Sequence, residues 1–276
     1  MGEHINNHVI FFSLSASNLT DLPLDTLTLI CSYLTMKDAC RLYRTGCREM
    51  IEAIANTKFD FFQNKSDPNF YQPIPPNVSV KQFRSVFTCA IGLKIDPDNL
   101  TDEDFDYMVP RNQFGKPIGE IRIDMSRRWH HNWLLPGGLP PRRKYSRNAF
   151  KKLQGIHSLV ISNNHHVRYR DFKSLKGITS LDMANCRQIP GDALKHLTGI
   201  KILNMDGCIH MNNDVLKYLK GINALSVIHC TEITTEAYEE LFDINLLYPL
   251  HYGYDDDDND DDDGWDDDED EMMWLD

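Results

Sequence analysis

Four consecutive blocks of 22 residues align without a gap: "LQGIHSLVISNNHHVRYRDFKS" from Leu153, "LKGITSLDMANCRQIPGDALKH" from Leu175, "LTGIKILNMDGCIHMNNDVLKY" from Leu197 and "LKGINALSVIHCTEITTEAYEE" from Leu219. Each opens on Leu, with Gly two positions later, Ile three later, Leu six later and an aliphatic residue or Met eight later. A fifth block starts at Leu241 and keeps Ile244 and Leu247 before Pro249 breaks it. A block of this size cannot bury an apolar face alone, so the blocks must stack on one another.

The columns state what each block becomes. Ile200, Leu203 and Met205 with their counterparts contain an alternation of period two, the signature of a short strand. Gly155, Gly177, Gly199 and Gly221 each follow a helical stretch and suit the left-handed residue that ends it. Lys173, Lys176, Lys195, Lys217 and Lys220 fall in last turns, where a cation complements the helix dipole. Each block therefore reads as strand, turn and helix. Upstream, Leu93 with Ile95 and Ile121 with Ile123 offer two divergent repeats at longer spacing.

The twelfth column holds Asn164, Cys186, Cys208 and Cys230. The resulting Leu-x-x-Leu-x-Leu-x-x-Asn/Cys pattern resembles the leucine-rich repeat, and most of all the cysteine-containing kind found in F-box proteins. The resemblance implies a curved solenoid with its strands on the concave face and this column pointing inward to satisfy turn backbone. A metal reading with His210 or His229 is the competing one, but one thiol per repeat lacks zinc spacing. No metal or cofactor is expected.

Toward the N-terminus, "LPLDTLTLICSYL" carries Leu27, Ile30, Cys31 and Leu34 on one helical stripe, with Asp21 as N-cap and Pro23 in the first turn. "TMKDACRLY" restarts with Thr35 and Asp38 in capping-box spacing. "TGCREMIEAIA" restarts at Thr45, with Cys47, Met50, Ile51 and Ile54 on one face. Three helices in about 35 residues are too few for a core of their own and need a partner. Leu22-Pro23, Asp25, Leu27, Ile30, Leu34, Lys37-Asp38, Leu42 and Cys47-Arg48 resemble the F-box, with Met50 where that family usually has Trp. The resemblance implies that Leu22, Pro23, Leu27, Ile30 and Leu34 dock on a Skp-type adaptor. The alternative is a helical cap of the solenoid that binds nothing.

Together the two modules resemble the substrate receptors of SCF-type cullin-RING ubiquitin ligases, including copies carried by large DNA viruses. The expected fold is α/β: an extension over 1–19, the F-box over 20–62, a proline-rich linker over 63–79, the leucine-rich-repeat solenoid over 80–251 and a disordered acidic tail over 252–276. Such a receptor performs no bond chemistry and works by holding a substrate at high effective concentration. In agreement, the chain has no GxSxG, P-loop, HExxH or dinucleotide motif. On the concave face the resemblance points to Val160, Asp182, Asn204 and Ser226, then Ser162, Asp206 and Ile228, as contacts for an unidentified protein substrate; a merely solvated face is the alternative.

Charge divides the chain unevenly. The formal net charge is −12, but 15 of the 41 acidic residues lie in 255–276, which leaves a body of 29 basic against 26 acidic residues. The stretch 126–152 carries eight Lys or Arg and no acid, with Trp129 and Trp133 between them. That composition suits single-stranded nucleic acid, an acidic segment such as the chain's own tail, or an ordinary basic loop, and its prolines and glycines favour the loop. Trp265, Met272, Met273, Trp274 and Leu275 interrupt the tail, which suits either a segment that folds onto a partner or a solubilising one. A non-ligase scaffold binding nucleic acid or a basic protein through these segments is the alternative function. The His-His pairs at 130–131 and 165–166 read as surface histidines. Seven cysteines with no CxxC fit a reducing compartment, and no apolar run approaches the roughly 20 residues of a membrane span. A cytoplasmic or nuclear protein with no membrane contact is expected.

Overall fold

The computed structural model describes residues 22–61, 73–127, 144–234 and residue 237. Three helices open it: α1 (Leu24–Cys31), α2 (Met36–Arg44) and α3 (Arg48–Asn56). Two more follow, α4 (Val80–Val86) and α5 (Asp102–Met108). Six three-residue strands stand between and after them: β1 (Gly92–Lys94), β2 (Arg122–Asp124), β3 (Ser158–Val160), β4 (Ser180–Asp182), β5 (Ile202–Asn204) and β6 (Ala224–Ser226). They form one parallel sheet in chain order, and its register places Leu93, Ile123, Leu159, Leu181, Leu203 and Leu225 side by side, all buried. Both divergent repeats therefore join the ladder.

In the first three regular blocks the expected helix is a short 3₁₀ segment, η2 (Tyr169–Leu175), η3 (Gly191–His196) and η4 (Asn213–Tyr218), and a similar segment, η1 (Ala149–Leu153), precedes the first block; most of the corresponding stretch of the fourth block lies outside the described residues. With 22 residues to form a strand, two turns and a return, only five to seven remain, and the tighter i→i+3 winding suits so short a piece. The glycine column has the left-handed backbone its position requires, with φ from +78° to +91° at Gly155, Gly177, Gly199 and Gly221. A second left-handed column, at Asn163, Asn185, Gly207 and His229, turns the chain out of each strand.

Two expectations for the N-terminal part change and one holds. The N-cap of α1 is Pro23; Asp21 lies outside the described residues. Thr35 caps α2 and accepts from the Asp38 amide at 3.2 Å, as its spacing implies. Thr45, however, ends α2, and α3 starts after Cys47.

The larger change concerns separation. The helices do not require an outside partner for burial, because one continuous core runs from Leu27 to Cys230. Phe59 and Phe61 pack on Phe83 and Phe87 with ring centroids 5.1 to 5.8 Å apart across the junction. The β1 edge is closed on the same side: the Ile91 amide donates to Phe59 O at 2.7 Å and the Ile74 amide to Lys94 O at 2.9 Å. Residues 73–79 thus belong to the body rather than to a linker, since Ile74 is buried and Ser79 forms a reciprocal capping box with Gln82; the rest of the expected linker, 63–72, lies outside the described residues. Arg84 completes the joint. Its buried guanidinium donates to the carbonyls of Tyr107, Phe87, Ala90 and Met108 at 2.6 to 3.3 Å, stitching α4 to the end of α5.

Candidate functional site

Two surfaces hold the residues singled out in the sequence. On α1, Leu27 and Cys31 point inward at 1% and 0% exposure, and Thr57 ties the helix to α3 by donating to Thr28 O at 3.3 Å. The helix is fixed by that face. Its other side presents Leu29 and Ile30 at 59% and 37% exposure, Tyr33 in the turn just past the helix is 74% exposed, and Pro23 and Leu24 are exposed at its start. Four large apolar side chains on eleven residues of surface form a patch of the kind that marks an interaction site. Of the proposed adaptor contacts, Ile30 and Pro23 are available and Leu22 and Leu34 are half-buried against the core. Leu27 is a correction: it is a core residue, buried because it lies on the stripe that α3 covers. Leu29 and Tyr33 were missed, although the signal was present in "LTLICSYL", a helix apolar on both faces.

The second surface is the exposed side of the sheet. Here Val160 and Ser226 are corrections, at 7% and 5% exposure, because the tight spacing of neighbouring strands covers them. Asp182, Asn204, Ser162, Asp206 and Ile228 are partly exposed. Their polar atoms are largely committed within the molecule. Asp182 Oδ1 accepts from Ser162 Oγ at 2.7 Å and from the Ala184 amide at 3.1 Å. Asp206 Oδ1 repeats the pattern with Ser226 Oγ at 2.6 Å and the Ile228 amide at 2.8 Å, and Asn204 Oδ1 takes the Asp206 amide at 3.0 Å. These side chains hold adjacent turns in register, a role that competes with substrate binding. Ile202, at 48% exposure, is the prominent apolar group on this side.

The twelfth column points inward, as the resemblance implies. Cys186, Cys208 and Cys230 donate their thiols to Ile161 O, Met183 O and Met205 O at 3.0, 3.2 and 3.0 Å, and Asn164 Nδ2 reaches Met125 O at 2.9 Å. Burial pushes the Cys208 thiol up to about 12 and Cys230 up to about 11, and it raises Cys186 as well. Among the described residues no group of three or more His, Cys, Asp or Glu is placed to hold a metal ion.

His166 is a further correction. It is buried, with Nε2 2.8 Å from Asp98 Oδ1 and 3.3 Å from the guanidinium of Arg127, which also pairs with Asp98. The two histidines share a turn after β3, in which His165 is exposed and His166 is directed to the interior. The pair at 130–131 and most of the basic stretch, 128–143, lie outside the described residues, as does the acidic tail. No described helix is long and apolar enough to cross a membrane.

No protein-family model matches the chain, and no curated protein matches it either. Among solved structures it is similar to one described as "Crystal structure of Rad7 and Elc1 complex in yeast", with a TM-score of 0.37 and 9% identity. The likeness covers 58% of this chain and 48% of that one, so the chain spans about half the length of the structure it matches.

Proposed function

We propose that this chain is the substrate-recognition subunit of an SCF-type ubiquitin ligase. The three N-terminal helices act as an F-box that docks on a Skp-type adaptor, and the leucine-rich-repeat sheet holds the target protein. The chain itself does no bond chemistry. The observation that carries the reading is the exposed apolar pair Leu29 and Ile30 of α1, with Tyr33 in the turn that follows, on a helix whose inner face is already satisfied by the core. Such a face has no role in folding, and a protein partner would remove it from water. The F-box-like residues 22–48 fall on and around that helix, and the stacked sheet offers a second surface on the same rigid body.

The test is co-expression of the full chain with a eukaryotic Skp-type adaptor, followed by size exclusion. The wild type is expected to co-elute. Ile30→Glu and Leu29→Glu each place a charge in the patch and are expected to weaken association at least 30-fold, the loss typical of a central interface anchor. Lys217→Gln, on the far end of the repeats, is expected to co-elute normally. If the wild type stays alone, or both α1 variants retain the adaptor, the proposal fails.

A further inference from the structure

The 22-residue period does more than stack strands. Lys151, Lys173, Lys195 and Lys217 occupy one column, one per repeat, and all four are exposed on the 3₁₀ segments η1 to η4. They make a ladder of cations on the side opposite the strands. Their compensation by the described residues is slight: Lys195 has one carboxylate near it, Asp192 at 3.9 Å, and its ammonium lies 5.5 Å from the centre of the Tyr169 ring. Lys217 lies 5.1 Å from the centre of the Tyr218 ring. The field is felt locally, since burial and then the charges of Lys195 and Lys173 push the His196 imidazole down. Between the rungs, Tyr169, Pro190, Val215 and Tyr218 border a groove of about 410 Å³, with Asp192 and Asp214 on its rim.

We propose that this lysine ladder is the docking surface for the chain's own acidic C-terminal segment, with residues 255–263 along the lysines and Trp265 in the Tyr169–Tyr218 groove. Three features select that occupant. Residues 255–276 carry 15 acidic residues and no Lys or Arg, the strongest charge complement in the sequence. Length also agrees: the run "DDDDNDDDD", extended at about 3.3 Å per residue, reaches roughly 30 Å, enough to follow four stacked repeats whose spacing runs from about 4.8 Å at the strands to at most about 10 Å at the outer segments. The connection is sufficient too, since the residues between 237 and 255 reach on the order of 60 Å when extended. The inference is independent of adaptor docking, which uses the other end of the molecule.

Zero-length carbodiimide coupling of the full chain at low ionic strength, read by peptide mass spectrometry, tests it. Crosslinks are expected from Lys173, Lys195 and Lys217 to carboxylates of 255–263. They should fall at least tenfold in about 0.5 M salt, where the Debye length shrinks to a few ångströms. The variant K173Q/K195Q/K217Q, checked for an unchanged melting curve, should lose tail coupling at its remaining lysines by a similar factor. The wild-type crosslink map stands alone as a test should that variant melt early. Coupling confined to lysines off the ladder, no coupling, or coupling only between isotopically distinct chains overturns the proposal. So does an uncoupled tail accompanied by a single-stranded oligonucleotide that binds the full chain and is lost in the variant.

Discussion

The regular half of the sheet, β3 to β6, and the irregular half, β1 and β2 with α4 and α5, solve one packing problem with different chemistry. In the regular half the buried turn carbonyls of Ile161, Met183 and Met205 each receive a thiol from the next repeat, a small group that costs little to desolvate. In the irregular half buried charges do the equivalent work. Arg84 serves four carbonyls, Lys94 pairs with the fully buried Asp124 at 2.8 Å, and Arg127 and His166 converge on Asp98. Strict repetition lets a weak donor be placed once and copied. Where spacing between strands lengthens, as from Leu93 to Ile123 and on to Leu159, backbone groups fall at unequal distances and long charged side chains reach them.

The contrast can be broken by substitution. Arg84→Met should be the most damaging single change, costing about 3 kcal/mol or more in urea unfolding, because it strands several buried carbonyls at once. Cys208→Ala should cost only about 1 to 2 kcal/mol; equal losses would abolish the distinction between the halves. Alkaline pH should act on the regular half. The folded values of about 12 for Cys208 and about 11 for Cys230 lie above the ordinary 9.0, so the folded chain keeps protons that the unfolded chain has released. The stability contributed is complete below pH 9 and declines as pH rises through 11 to 12, on the order of 1 kcal/mol per pH unit for each thiol. A urea midpoint unchanged between pH 8 and 10.5 would contradict this. The left-handed turn column should respond on a similar or smaller scale. Gly207→Ala meets both a φ of +66° and Asn185 Oδ1 at 2.3 Å from the new carbon, whereas His229→Gly relieves a φ of +61°. The first should destabilise by about 1 to 2 kcal/mol and the second stabilise by up to about 1, both read from thermal melts.

What could be read from the sequence followed the same division. Strand positions, the glycine turns and the inward cysteines were legible because each column answers a local demand repeated every 22 residues. The second left-handed column was overlooked, since Asn, Asn, Gly and His share little except tolerance of positive φ. His166 and the docking of Ile74 on the β1 edge depend on partners 68 and about 20 residues away, which no local pattern announces. Asp182 and Asp206 are partly exposed at the sheet, but alternation places a carboxylate on a face without revealing that a neighbouring serine already holds it. Likewise the stripe rule found Leu27 and Cys31, which build the core, but put the exposed Ile30 on the same stripe, and the outer face became visible only once that core was closed.

The phenylalanine junction between α3 and α4 also fixes a length. Because Phe59 and Phe61 are wedged against Phe83 and Phe87 and the core passes through them unbroken, α1 and the strands share one packed core among the described residues. The molecule is a gauge block. Under the proposed function, whatever rests on the sheet would stand at one set distance from whatever grips α1, and such a body would select its cargo by dimension as well as by surface. Cutting it at residue 80 to free the repeats would expose those rings and destroy the gauge along with the grip.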